Sequence, residues 1–246
     1  MGQDKLIWGR NIVLDAIRAN RTISKILIGV QGGRKIDEIR ALAQRRRIPV
    51  ENVERRQLDN LTSGLVHQGV VAFTVPRRYV HVDDILARAA ARKEPPLILA
   101  LAQVEDPRNL GAAARTAAAA GAHGLVIPLR RAAPITGAAE KAAAGALDHI
   151  PVARVTNLRR CLTDLKAAGL WVMGADMDGD SLYYETDLTD PVALVVGGED
   201  KGLGRLIARE CDFLVRIPMR PEITSLNTSV AASLLLYEAV RQRDQK

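Results

Sequence analysis

The sequence predicts a two-domain α/β protein, a small N-terminal α/β unit followed by a larger domain built on a parallel sheet. Three observations carry this. From Leu97 onward, short and nearly continuous apolar runs alternate with helical stretches, the pattern of strands buried on both faces. The first 75 residues carry their own set of shorter elements. Between the two, residues 76–96 are polar, basic and bracketed by prolines, which reads as a linker. The expected division is 1–75, 76–96 and 97–246.

Each element has a local reason. Residues 11–19 have helical spacing, 26–30 form a β-branched run, and 36–47 are amphipathic with a basic end. Residues 48–53 and 69–75 read as strands, and 82–91 as a short helix within the linker. Beyond it, 97–102, 124–127, 170–173, 192–196 and 213–217 are apolar strands. The alanine-rich stretches 112–120 and 138–146 resemble low complexity, but alanine is the strongest helix former and permits close approach. They are expected to be two tightly packed helices.

Composition narrows the function. Residues 1–80 hold 15 Lys/Arg against 7 Asp/Glu, and the remainder holds 20 against 21, so the net charge of +7 is entirely N-terminal. Such a surface attracts polyanions through counterion release, which makes RNA or DNA the leading partner of the first third. Only eight aromatic residues occur, with Trp8, Phe73 and Tyr79 in that third, so a grip there must rely on phosphates and shape rather than on a stacking platform. No apolar run approaches the roughly 20 residues of a membrane span, and Lys5, Arg10 and Asp15 interrupt the one candidate signal segment. A cytoplasmic protein without a membrane partner is expected. Cys161 and Cys211 lack metal or disulfide spacing and read as packing residues, and the histidines lack ligand spacing, so no metal is expected.

The chemistry concentrates late in the chain. Val195-Val196-Gly197-Gly198-Glu199-Asp200-Lys201-Gly202-Leu203 reads as a buried strand ending in a glycine turn, where Gly197 and Gly198 let a ligand approach the backbone. Ile217-Pro218-Met219 is a strand end, and Ser225-Leu226-Asn227-Thr228-Ser229 is a polar loop opening a capped apolar helix. Two such loops can meet over a ligand. Upstream, in Asp106-Pro107-Arg108-Asn109-Leu110-Gly111, Asn109 is a good N-cap for the following helix, and Arg115 lies nearly two turns along it. A lone Arg on such a helix is usually a surface residue. No G-x-G-x-x-G or G-x-x-x-x-G-K-[ST] follows any strand, so an ordinary nucleotide-binding turn is excluded.

Taken together, residues 106–111 with 115–117, 195–203, and 217–219 with 225–233 resemble the three motifs of the SpoU (TrmH-like) family of the SPOUT superfamily, S-adenosyl-L-methionine-dependent RNA ribose 2′-O-methyltransferases. The resemblance implies a C-terminal domain whose parallel sheet carries a trefoil knot. It implies cofactor contacts from Gly197, Gly198, Ile217, Met219, Leu226 and Ser229, and catalytic roles for Asn109, Arg115, Glu199, Ser225 and Asn227. Arg115 is expected to orient and stabilise charge, since a guanidinium is hard to deprotonate, with a general-base role left open. Residues 1–75, opening with Gly9-Arg10-Asn11 and closing with His67-Gln68-Gly69-Val70, are similar to the ribosomal-protein-like substrate-binding domain of the family. The whole chain is most similar to the branch that methylates a guanosine of 23S rRNA. The alternatives are a transfer-RNA ribose methyltransferase, a resistance methylase, or an RNA-binding assembly protein without catalysis. A homodimer is implied by the family.

Overall fold

A computed structural model describes residues 5–19, 21–29, 33–75, 79–198 and 202–245. In the first domain β1 (Lys5–Trp8) leads into α1 (Arg10–Arg18), β2 (Ile23–Ile28) into α2 (Arg34–Arg45), and β3 (Val50–Asn52) into α3 (Arg55–Leu61). The last strand, β4 (Val70–Thr74), pairs antiparallel with both β1 and β2, while β3 runs parallel to β2, so the order is β1-β4-β2-β3. Strand alternation divides the side chains between two layers. Ile26, Ile28, Val70 and Ala72 meet α1 and α2 on one face, and Leu27 and Val71 meet Leu58 of α3 on the other.

The second domain begins earlier than its sequence suggests. Residues 79–96, read as part of a linker, contain α4 (Val82–Arg92), whose Ile85 and Ala89 are fully buried against the main sheet. Val80 forms a parallel bridge with Ala153, so this segment is part of the second domain's packing. Its polar composition reflects a helix wetted on one side.

The sheet then grows through β5 (Leu97–Leu101), α5 (Pro107–Ala119), β6 (Gly124–Pro128), α6 (Gly137–Ala143), β7 (Val152–Val155), α7 (Leu158–Ala167), β8 (Trp171–Ala175) and β9 (Ser181–Leu182). It closes with β10 (Val192–Val196), α8 (Arg205–Ala208), β11 (Phe213–Arg216) and α9 (Thr228–Arg243). All pairings are parallel, in the order β7-β6-β5-β10-β8-β11-β9. Strand β10 therefore enters between β5 and β8, and β11 between β8 and β9, after their neighbours in sequence. Helices α5, α6 and α9 cover one face and α4, α7 and α8 the other, which is why β5, β6 and β10 are buried throughout. The alanine-rich helices do pack closely: a Cβ on Gly111 of α5 would collide with the backbone of Ala139 in α6.

The domains are joined over α6. The Trp8 ring lies against Gly137, and Arg21 donates to Glu140 at 2.7 Å and to Thr74 Oγ1 at 3.0 Å, with the two ionic side chains only 8% and 4% exposed.

Candidate active site

The carboxyl ends of β8, β10 and β11 open onto a cavity of about 660 Å³. This is where ligands settle on open parallel sheets, beside a point where strand order reverses. Gly197 is buried at the end of β10, and a Cβ there would collide with the backbone of Gly202. The glycine is needed first because its own loop folds back: Gly198 N donates to Gly202 O at 3.1 Å and Gly202 N to Gly198 O at 3.0 Å. Thr228 Oγ1 donates to Gly197 O at 3.1 Å, so the first residue of α9 anchors the glycine turn.

Asn227, the residue before α9, caps it by accepting from Ser229 N at 2.9 Å and from Ser229 Oγ at 2.6 Å. Its amide donates to Asn109 Oδ1 at 3.0 Å, joining two segments 118 residues apart. Asn109 is not the N-cap expected of it. Asp106 caps α5 by accepting from Arg108 N at 2.8 Å, and Pro107 occupies the first helical position, where its missing N–H costs nothing. Asn109 therefore sits inside the first turn, where its side chain meets Asn227. The backbone and side-chain hydrogen bonds from Arg108 hold the Asp106 carboxyl below its ordinary range.

Of the expected cofactor residues, Gly197, Gly198, Ile217, Met219 and Leu226 line the cavity, whereas Ser229 does not, and its hydroxyl donates to Asn227 Oδ1. Ser225 also lines it. Arg115 is exposed on α5 and does not line the cavity. Glu199 lies outside the described residues. Sequence reasoning missed Asp176 and Asp178 on the wall after β8, together with Arg205 of α8. An acidic pair just past a buried strand was the available signal, but charged loop residues are too common for it to stand out. Cys161 and Cys211 are packing residues as expected, burial pushing their thiols up to about 11 and about 12.

The donor set suits S-adenosyl-L-methionine. Val196, Ile217, Leu226 and Ala231 offer an apolar slot for a purine, backbone groups at the strand ends can read its edge, and the Asp176, Asp178 and Arg205 side chains complement a zwitterionic, cationic tail. Among the described residues no group of three or more His, Cys, Asp or Glu could hold a metal ion, and no helix is long and apolar enough to cross a membrane.

A basic small domain set on a parallel-sheet domain, with late-chain loops folded round a cofactor-sized cavity, defines a class of RNA-modifying transferase. Comparison with known families makes it specific: residues 96–237 match the SpoU rRNA methylase family, and residues 6–80 match the substrate-binding domain of RNA 2′-O ribose methyltransferases. The chain belongs to the SpoU rRNA methylase family, whose members are S-adenosyl-L-methionine-dependent RNA methyltransferases. It is 43% identical over 245 residues to YacO of Bacillus subtilis, of the TrmH family of tRNA/rRNA methyltransferases, covering 98% of this chain and 97% of that one. Among solved structures it resembles the SpoU methyltransferase AviRb of Streptomyces viridochromogenes in complex with S-adenosyl-L-methionine, with a TM-score of 0.81 and 26% identity over 98% of this chain and 91% of that chain. It also resembles the S-adenosyl-L-methionine-bound rRNA methyltransferase of Sinorhizobium meliloti, with a TM-score of 0.79 and 29% identity over 97% and 87%.

Proposed function

We propose that this chain transfers a methyl group from S-adenosyl-L-methionine to a ribose 2′-oxygen, with a guanosine of 23S rRNA as the target. The observation that carries the reading is that two of the separated motifs, 195–203 and 217–219 with 225–233, meet over one cavity, with Thr228 on Gly197, while the third is tied to them by the Asn109–Asn227 hydrogen bond. The cofactor, when bound, supplies a methyl group activated by its sulfonium. The chain's own part is to hold the adenine between Ile217 and Leu226, to present Ser225 and Asn227 at the mouth, and to keep the reacting hydroxyl aligned. Arg115 is the orienting and charge-stabilising group, and Glu199 organises the loop.

The exposed position of Arg115 fits a homodimer in which it serves a site shared with a second copy. Helix α9 supports that arrangement: its apolar residues are not confined to the core side, with Val230 and Tyr237 46% and 51% exposed. These two residues line a shallow groove with Leu234 and Tyr183. The late insertion of β10 and β11 between earlier strands is the connectivity that a trefoil knot needs. Mapping 2′-O-methyl groups in rRNA from cells with and without the gene tests the substrate. Loss of one 23S guanosine methyl is the expected result, and loss of a transfer-RNA methyl instead would overturn the assignment.

A further inference from the structure

The first domain contains a second cleft, of about 670 Å³, that the methyl-transfer site does not use. It brings together the two N-terminal sequence features, Gly9-Arg10-Asn11 and His67-Gln68-Gly69. Three cationic side chains line it: Arg10 at the start of α1, Lys35 in the first turn of α2, and Arg55 at the start of α3. One carboxylate, Asp59, shares the wall, and it is engaged by His67 Nε2 at 2.9 Å. His67 Nδ1 in turn accepts from Gly69 N at 3.0 Å, so this buried histidine holds the loop in place.

That loop fixes the direction of one arginine. Gln68 sits in the left-handed region at φ 53, a conformation unusual for a non-glycine residue. There its carbonyl accepts from Arg10 Nε at 3.0 Å, and its side-chain oxygen accepts from Arg10 N at 3.0 Å. The Arg10 guanidinium is thereby oriented while its two terminal nitrogens make no hydrogen bond among the described residues. Lys35 donates to Asn11 Oδ1 at 2.7 Å on the same wall. At the rim Leu65 and Val66 are 52% and 68% exposed, an apolar lip beside a cationic floor.

We propose that this cleft is an RNA-binding site that takes one unpaired nucleotide of the substrate, with its phosphate on Arg10, Lys35 and Arg55 and its base against Leu65 and Val66. A concave site of this size suits a splayed-out nucleotide, whereas a duplex presents a convex surface. Gln68 is a positioning residue that acts through Arg10. The proposal rests on the reading that RNA is the substrate.

Filter binding of protein-free 23S rRNA and of bulk transfer RNA, over a salt series, tests it. Arg10→Ala and Arg55→Ala should each weaken binding of the preferred RNA about tenfold and reduce the salt slope by about 0.7 to 1. Gln68→Asn tolerates the backbone conformation but cannot reach Arg10 N, so it should weaken binding less, and its effect should largely vanish in the Arg10→Ala background. Arg160→Ala, at an exposed position of α7 in the other domain, should change neither quantity, and cofactor affinity should stay at the wild-type value in every variant. Wild-type affinity and slope in both arginine variants would overturn the cleft, as would failure of the wild-type protein to bind either RNA. Radiolabelled methyl transfer separates the two ideas: transfer that persists in variants with unchanged binding removes the cleft and leaves the methyltransferase reading intact. RNA binding lost on these substitutions, with no transfer by the wild type, does the reverse.

Discussion

Asp106 and Asn109 divide a task that a single residue had been expected to perform. Asp106 caps α5, so Asp106→Ala should lower the urea midpoint. Asn109→Ala leaves that cap intact and removes the bond to Asn227, so its main effect should fall on single-turnover methylation; an unchanged rate would remove Asn109 from the site. Arg115→Ala should slow methyl transfer by about 100-fold or more with cofactor affinity little changed, and Arg115→Lys should not restore it, because an ammonium cannot reproduce the planar fork. Near-wild-type single-turnover rates would remove Arg115 from the mechanism. His123 provides a pH test. It is 1% exposed, accepts from Leu97 N at 3.0 Å through Nδ1, and meets Glu94 Oε2 at 3.0 Å through Nε2. Burial lowers its pKa below the ordinary value, outweighing the opposing pull of Glu94. The unfolded chain then binds the proton more readily, so this histidine's contribution to stability is intact above about pH 6.5 and declines as pH falls below it. Urea midpoints at pH 7.5 and 5.5 should differ less in His123→Gln than in the wild type.

At the scale of elements, the glycine turn after β10 is held by its own loop and by α9 before any ligand arrives. Gly197→Val should therefore break the Gly198–Gly202 pairing, cost about 1 to 3 kcal/mol through overpacking, and abolish measurable cofactor binding in calorimetry. A Cβ on Gly198 would meet the Gln103 side chain at 3.3 Å and its backbone oxygen at 3.4 Å, much milder contacts than at Gly197, so Gly198→Ala should bind cofactor within a few-fold of wild type. Similar losses from both substitutions would mean that ligand contact, and not the turn, requires the glycines. The strands β5, β6 and β10 and most helices were legible because their apolar spacing is strong. Elements β1, α3, β7, β9 and α8 were not read, being short, and α7 went unread although its buried Leu158, Cys161, Leu162 and Leu165 stand at helical spacing.

For the molecule as a whole, the Arg21–Glu140 pair ties the N-terminal domain to the helix that packs on α5. Arg21→Met removes a cation from a buried carboxylate and should destabilise the fold, while adding Glu140→Leu should recover much of that loss. Guanidinium unfolding of the two variants and the wild type measures the recovery. Failure of the double variant to regain stability would mean that the pair matters for shape rather than charge. Removal of residues 1–75 should lower the catalytic domain's unfolding temperature as well as weaken RNA binding, because it uncovers Glu140 and the Gly137 face on which Trp8 rests. Sedimentation at assay concentration tests the dimer, and a fully active monomer would refute a shared site.

The sequence by itself determined the two-domain α/β class, the concentration of positive charge in the first third, and two of the segments that form the cavity, 195–203 and 217–226, since periodicity, charge and motif spacing are local and survive without coordinates. It also carried the family, through residues that stand next to one another in the chain. Only the tertiary structure decided that residues 79–96 belong to the catalytic core, that Asn109 bonds Asn227 instead of capping, and that Arg115 lies off the cavity. It alone joined Arg10 to Gln68. These are contacts between distant parts of the chain, set by which strand pairs with which and by where each helix starts, and no local pattern encodes them.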